Sequence, residues 1–173
     1  PTKSSAASDV YKRQDNTNLD YSGWVNFAEQ GTELWTEQVF RGNGYTEFSA
    51  YRTFEDVNIG WLVTPGFDLT GSTNSFINFK LAQHHLDDDQ NNTLEVFISN
   101  DFDGSNVLSA TWNKLSVQIP NMSNSWYAFQ DSGLIDVSSY EGTIHIGFKY
   151  VGSGTNTSLD GGYFVDDILF LKK

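Results

Sequence analysis

From Asp15 onward apolar and polar residues alternate with a period of two, and clusters of Gly, Asn, Asp and Ser break the alternation at short intervals. Residues 75–83 put Ile77, Phe79 and Leu81 on one face, and residues 93–99 set Leu94, Val96 and Ile98 against Glu95 and Phe97. Residues 143–150 set Ile144, Ile146, Phe148 and Tyr150 against His145, Gly147 and Lys149. Residues 111–118 carry Trp112, Leu115 and Val117, and shorter runs occupy 24–28, 34–40, 46–52, 61–64 and 125–130. Successive side chains of an extended chain point to opposite faces, so this pattern selects strands. No segment sustains a helical period. About ten strands separated by turn signals predict an all-β, antiparallel sandwich or barrel.

Composition narrows the function classes. The chain has no cysteine, which removes disulfides and thiolate metal sites. A net charge of -12 repels phosphate backbones and argues against nucleic acid as a partner. No apolar run approaches the ~20 residues of a membrane-spanning helix. Residues 4–14, SSAASDVYKRQ, read as the in-frame translation of a common transposase sequencing adapter. Residues 1–14 are therefore expected to be a disordered library artefact, and 15–173 a single domain. On that reading the native N-terminus is missing.

The last segment, GGYFVDDILFLKK, poses a problem of its own. Strict alternation puts Phe164, Asp166, Ile168 and Phe170 on one face and Tyr163, Val165, Asp167, Leu169 and Leu171 on the other. Whichever face meets the core, an acid goes with it. An unpaired buried carboxylate costs several kcal/mol, so Asp166 and Asp167 are expected to have a partner. A calcium ion is one candidate, since it collects carboxylate, carbonyl and water oxygens. Hydrogen-bond donors from the backbone or a tyrosine are the other.

Four stretches together carry a family resemblance. They are Gly23-Trp24 with Glu33-Leu34-Trp35; GWLVTPGFDL at 60–69; LEVFIS, ATWNKL and GLIDVSSYEG in order; and IHIGFKY followed by FVDDILF. In this order the chain resembles the choice-of-anchor J domain, the group that includes the cleaved adhesin domains of gingipains, and more distantly the MAM-like jelly rolls. The resemblance covers nearly all of 18–173. It implies a jelly-roll β-sandwich on secreted or cell-surface proteins, often from Bacteroidetes, joined to neighbouring domains of a longer chain. It implies a non-catalytic module that binds a glycan or a cell-surface protein, with structural calcium in some members. The acid of the last strand that helps hold calcium in such domains falls at Asp166, with Asp167 beside it. Relatives often carry an acid just before the Trp-Leu run, where this chain has Gly60; the nearest acids are Glu55 and Asp56, and Asp56 with Asp20 near the domain start are the candidate co-ligands.

The remaining motifs divide between binding and scaffold. Trp61 sits beside a Leu-Val pair and is expected in the core, while Trp24 and Trp35 close one end of the sandwich. Trp112, Trp126 and Tyr127 are the candidates for an exposed platform on which sugar rings stack, the alternative being that they too are core. HHLDDDQ at 84–90 reads as a solvated acidic hairpin loop or a peripheral ligand contact, since adjacent histidines do not converge on one zinc. DFDGSN at 101–106 reads as a turn rather than an EF-hand, because the twelfth-position acid is missing. Asp68 is expected to cap its own turn. His145 has no nucleophile elbow to serve, and no E-x-D-x-x-E arrangement is present, so an enzyme is not expected. A structural spacer or accessory domain of a larger secreted enzyme or surface protein is the second functional class the sequence allows.

Overall fold

The computed structural model describes residues 18, 19 and 21–172; the proposed adapter segment 1–14 and Asp20 lie outside them. Among the described residues twelve strands form two six-stranded antiparallel sheets packed as a jelly-roll sandwich. In chain order they are β1 (Val25–Gln30), β2 (Thr36–Phe40), β3 (Asn43–Ser49), β4 (Asn58–Val63), β5 (Phe67–Asp68) and β6 (Ser75–His84). Then come β7 (Thr93–Ser99), a 3-10 turn (Val107–Ser109), β8 (Asn113–Lys114), β9 (Gln130–Asp131), β10 (Ile135–Asp136), β11 (Thr143–Gly152) and β12 (Gly162–Lys172). Sheet I runs β1-β4-β11-β7-β8, with β5 on β11; sheet II runs β10-β6-β12-β3-β2, with β9 on β6. No α-helix occurs among the described residues, and so no helix there is long and apolar enough to cross a membrane.

The period-two residues meet between the layers. Sheet I contributes Leu62, Leu94, Val96, Ile98, Ile144, Ile146, Phe148 and Tyr150; sheet II answers with Phe48, Ile77, Phe79, Leu81, Tyr163 and Val165. Burying each such side chain is worth about 1.5–3 kcal/mol. Ring pairs bridge the layers: Phe79 meets Phe148 edge-on at 5.2 Å, and Phe48 stacks on Tyr150 at 4.3 Å. Gly60 on β4 leaves the room that the Phe48 ring occupies. The buried Tyr150 hydroxyl donates to the Gly161 carbonyl at 2.8 Å and accepts from the Ala50 amide at 3.2 Å, so one phenol pins the ends of β3 and β12 to sheet I. Burial pushes that phenol well above the usual tyrosine range.

Strand β12 departs from strict alternation. Asp166 stands opposite Lys80 and Leu169 opposite Asn78, so one residue too many sits between them. Asp167 absorbs it with φ 49, a left-handed conformation. This β-bulge re-phases the strand. Tyr163 and Val165 face the core before it, Ile168 and Phe170 after it, and Phe164 and Asp166 face outward. The expected grouping of Asp166 with Ile168 and Phe170 on one face is therefore corrected: neither acid enters the inter-sheet core.

Two expected strands shrink. Of 111–118 only Asn113–Lys114 forms ladder, although Leu115 still donates its amide to Val96 and packs, with Val117 and Ile119, against the core. Of 125–130 only the last residue reaches a strand, because 121–128 is folded into turns closed by Asn124 N–H to Asn121 and Ala128 N–H to Ser125.

Candidate functional site

The outer face of sheet II carries a groove of about 640 Å³. Its floor is built from outward residues of β2 and β3, namely Thr36, Gln38, Glu47 and Ser49. His84, the last residue of β6, lies across β12 at Gly162, where any Cβ would run into the imidazole. That missing side chain lets His84 Nε2 reach Glu47 Oε1 on the next strand, at 2.8 Å. The imidazole stacks against Tyr127 at 5.4 Å and Phe164 at 5.0 Å. Its Nδ1 meets His85 Nδ1 at 2.9 Å, so one ring donates and the other accepts.

The turn segment 121–128 supplies the rim. Trp126 and Tyr127 are 51% and 54% exposed. Tyr127 donates its amide to the Gln83 carbonyl at 2.8 Å and holds φ 61; His85 holds φ 50. Non-glycine residues in this region cost of order 1–3 kcal/mol and persist only where surrounding contacts impose them. Trp126 lies over His85 with ring centroids 4.0 Å apart. Beyond Tyr127 a second hollow of about 480 Å³ continues over Tyr45, Phe129 and Phe164, an aromatic floor with Asn43 at its side. Tyr127 thus stands between an acidic hollow and an apolar one.

The first hollow is lined by Glu33, Glu47, Asp87 and Asp160, and no Lys or Arg lines it among the described residues. Burial, with the nearby Asp87 charge, raises the Asp160 carboxyl above the usual aspartate range; the neighbouring histidines oppose this. An anionic ligand would meet uncompensated negative charge there.

The sequence candidates separate in space. Trp126 and Tyr127 do form an exposed pair. Trp112 does not join them. It lies on the outer face of sheet I, half-buried, with its indole 5.3 Å from Trp61 and 5.6 Å from Phe102, and its Nε1 donates to the Val107 carbonyl at 2.8 Å. The loop following β7 folds back over Trp61 and Phe97 and takes Trp112 with it, so the expectation of an exposed ring is corrected. Trp61, 4% exposed, is core as expected; Trp35, 1% exposed, is core as well, and Trp24 packs at the core margin.

The acids of β12 have protein partners. Asp166, 3% exposed, accepts from Asn43 Nδ2 at 2.8 Å and from the Asp167 amide at 2.7 Å. Burial raises its pKa, the Asn43 bond opposes this, and the Asp167 charge raises it further. Asp167 pairs with Lys80 at 2.8 Å. Asp56 is exposed and accepts from Thr155 Oγ1 at 2.8 Å. No group of three or more His, Asp or Glu able to hold a metal ion occurs among the described residues, so the structure does not gather Asp166, Asp167 and Asp56 into an acid cluster, and Asp20 lies outside the described residues. His145 is scaffold: its Nδ1 lies 2.9 Å from the Thr64 carbonyl and its ring meets Phe102 edge-on. Asp68 caps Thr70 as expected, and Asp103 bonds the amides of Ser105 and Asn106 in a turn.

Glu47 and Asp160 carry no sequence signal, and His84, expected in a solvated loop or as a peripheral ligand contact, ends strand β6 instead. The outward row Asn78, Lys80, Ala82, His84 continues the β6 alternation by one step, which was the available signal for His84.

Known structures share this architecture. The K1 cleaved adhesin domain of Lys-gingipain from Porphyromonas gingivalis W83 superposes with a TM-score of 0.60 at 12% identity, over 100% of this chain and 99% of that one. The K2 cleaved adhesin domain of Lys-gingipain gives 0.58 at 14% identity, over 98% of each chain. The K3 domain from the W83 strain gives 0.53 at 18% identity, over 87% and 92%. At these identities the likeness is one of fold. No protein-family model matches the sequence, and no curated protein matches it.

Proposed function

We propose that the chain is a non-catalytic, extracellular binding module of the choice-of-anchor J type, which takes a glycan chain along the outer face of sheet II. The observation that carries this reading is the exposed Trp126–Tyr127 pair standing over two adjoining hollows, with Tyr127 held in a strained backbone conformation between them. A sugar ring presents an apolar face to an aromatic ring and hydroxyls to the acids and amides around it. The acidic lining selects neutral or amine-bearing glycans over uronic-acid polymers. The cleaved-adhesin fold supports a surface setting, and the groove gives such a module its contact.

Titration calorimetry with neutral, amine-bearing and uronate oligosaccharides tests this. The expected dissociation constants for the accepted classes are about 10⁻⁶–10⁻³ M. Trp126→Ala and Tyr127→Ala should each weaken binding at least tenfold, about 1.4 kcal/mol. Absence of binding to every class, or binding untouched by both substitutions, would falsify the groove assignment.

A further inference from the structure

The hollow beyond Tyr127 differs in kind from the acidic one. All but one of the residues lining it are aromatic: Phe40 of β2, Tyr45 of β3, Phe164 of β12, and Tyr127 and Phe129 of the segment before β9; the exception is Asn43. Strands β12, β3 and β2 are neighbours in sheet II, and each contributes one ring. Tyr45 meets Phe164 at 4.8 Å with the planes inclined by 50°, and Phe129 at 5.7 Å inclined by 63°. Rings so inclined do not make one flat platform. A sugar face covers a single ring plane, whereas a compact rounded group can touch several. Phe40 is 61% exposed and Phe164 2% exposed, so the hollow runs from an open lip to a buried floor. Its surroundings are negative. No Lys or Arg lines it among the described residues. Asp166 lies behind Asn43, whose Nδ2 donates to it at 2.8 Å. Burial raises the Tyr45 phenol above the usual tyrosine range, and the Glu47 charge raises it further, so that carboxylate is felt at the floor. Lys80 is taken up by Asp167 at 2.8 Å. Arg41 lays its guanidinium over the Phe40 ring at 5.1 Å without lining the hollow, so the lip ring already draws a cation.

We propose that this hollow is a cage for a trimethylammonium group on an otherwise uncharged carrier, choline being the simplest. The face of an aromatic ring is the negative part of its quadrupole, and a cation set over it is held more strongly where water is excluded. A primary ammonium is strongly hydrated and gives up its water at a cost. A trimethylated one offers methyl groups to the rings and has no N–H to leave unpaired, which suits a cavity with a single polar side chain at its margin. Tyr45, Phe129 and Phe164 form the floor under the methyls, while Phe40 and Tyr127 wall them in. The net charge of -12 favours the approach of a cation and opposes that of an anionic carrier. The assignment does not rest on the glycan reading, which is carried by the Trp126–Tyr127 rim.

Choline chloride titrated into the full chain, against sodium chloride of equal ionic strength and with amide and ring chemical shifts as the readout, tests the assignment. Saturable shifts at Asn43, Tyr45, Phe129 and Phe164 are expected, half-complete at about 0.1–1 mM choline. The tert-butyl analogue of choline has the same shape, with carbon in place of nitrogen and no charge, and should bind about tenfold more weakly. Phe129→Leu keeps an apolar side chain without the ring, and should raise the choline midpoint about fivefold while leaving that of the neutral analogue in place. The comparison of the two ligands on the unaltered chain decides the matter even if Phe129→Leu does not fold. Equal affinity for the two ligands, tighter binding of phosphocholine than of choline, shifts centred on Glu33, Asp87 and Asp160, or no saturation at about ten times the expected midpoint would each overturn the proposal.

Discussion

Both sheets carry aromatic clusters on their outer faces, but only one cluster is roofed. On sheet I, Trp61, Phe97 and Trp112 lie beneath the loop after β7, whose Phe102 and Val107 are themselves buried. Glu29 closes the edge, accepting from Trp61 Nε1 at 2.7 Å and pairing with Lys149 at 2.9 Å. On sheet II, the turn segment 121–128 approaches from one side only, and Trp126 and Tyr127 end at the rim with half their surface in water. Aromatic content is therefore no guide to a binding face. What separates a second small core from a platform is whether a loop lays apolar residues over the rings or merely props them up.

The largest expected effect falls on the roofed face. Trp61→Ala removes a buried indole and its bond to Glu29, and should cost about 3–5 kcal/mol in urea unfolding while leaving glycan binding per folded molecule unchanged. Loss of binding in that variant would erase the distinction between the faces. Gly162→Ala comes next. Its methyl displaces His84 from Glu47, and overpacking of this kind costs about 1–3 kcal/mol. Here stability and binding should fall together, because the groove floor itself is deformed. Trp126→Ala should instead weaken binding at least tenfold and shift unfolding by less than about 0.5 kcal/mol, as surface substitutions do. Trp112→Ala should show the opposite pattern.

The smallest effect is in pH dependence. Asp166 has a folded pKa raised above its unfolded value, so its contribution to stability is full below about pH 3.9 and is lost as pH rises through the folded value. The turn aspartates Asp68, Asp101, Asp103 and Asp136 are lowered, chiefly by hydrogen bonds from neighbouring hydroxyls and amides, so theirs is present above that pH and lost on acidification. Asp166→Asn should flatten the decline on the alkaline side of this window and leave the acid limb in place. A denaturation series across mildly acidic to neutral pH reads both limbs, and an unchanged alkaline slope would remove Asp166 as its source.

Much of the scaffold was legible because one inner face imposes a period of two. Residues 93–99 form a strand over the expected range, and 75–83 and 143–150 each extend only slightly beyond it. Trp112 and Trp126 could not be told apart in the same way. Both stand in polar, turn-rich surroundings, and their fates depend on what packs over them from distant sequence. The bulge at Asp167 was equally hidden, since a left-handed aspartate in mid-strand has no marker in residue order. His84 and Glu47 meet only because Gly162 leaves bare the strand that lies between theirs, a tertiary fact with no local pattern.

The extra residue in β12 also guards against sliding. Its two halves point the same apolar set inward only when the kink stands opposite the segment between Lys80 and Asn78. Moving the strand by one position turns both halves inside out, and moving it by two sets the kink beside a different pair of β6 residues. A closing strand with this built-in phase mark has a single seating, which suits the element that must lock both sheet II neighbours last in the chain order.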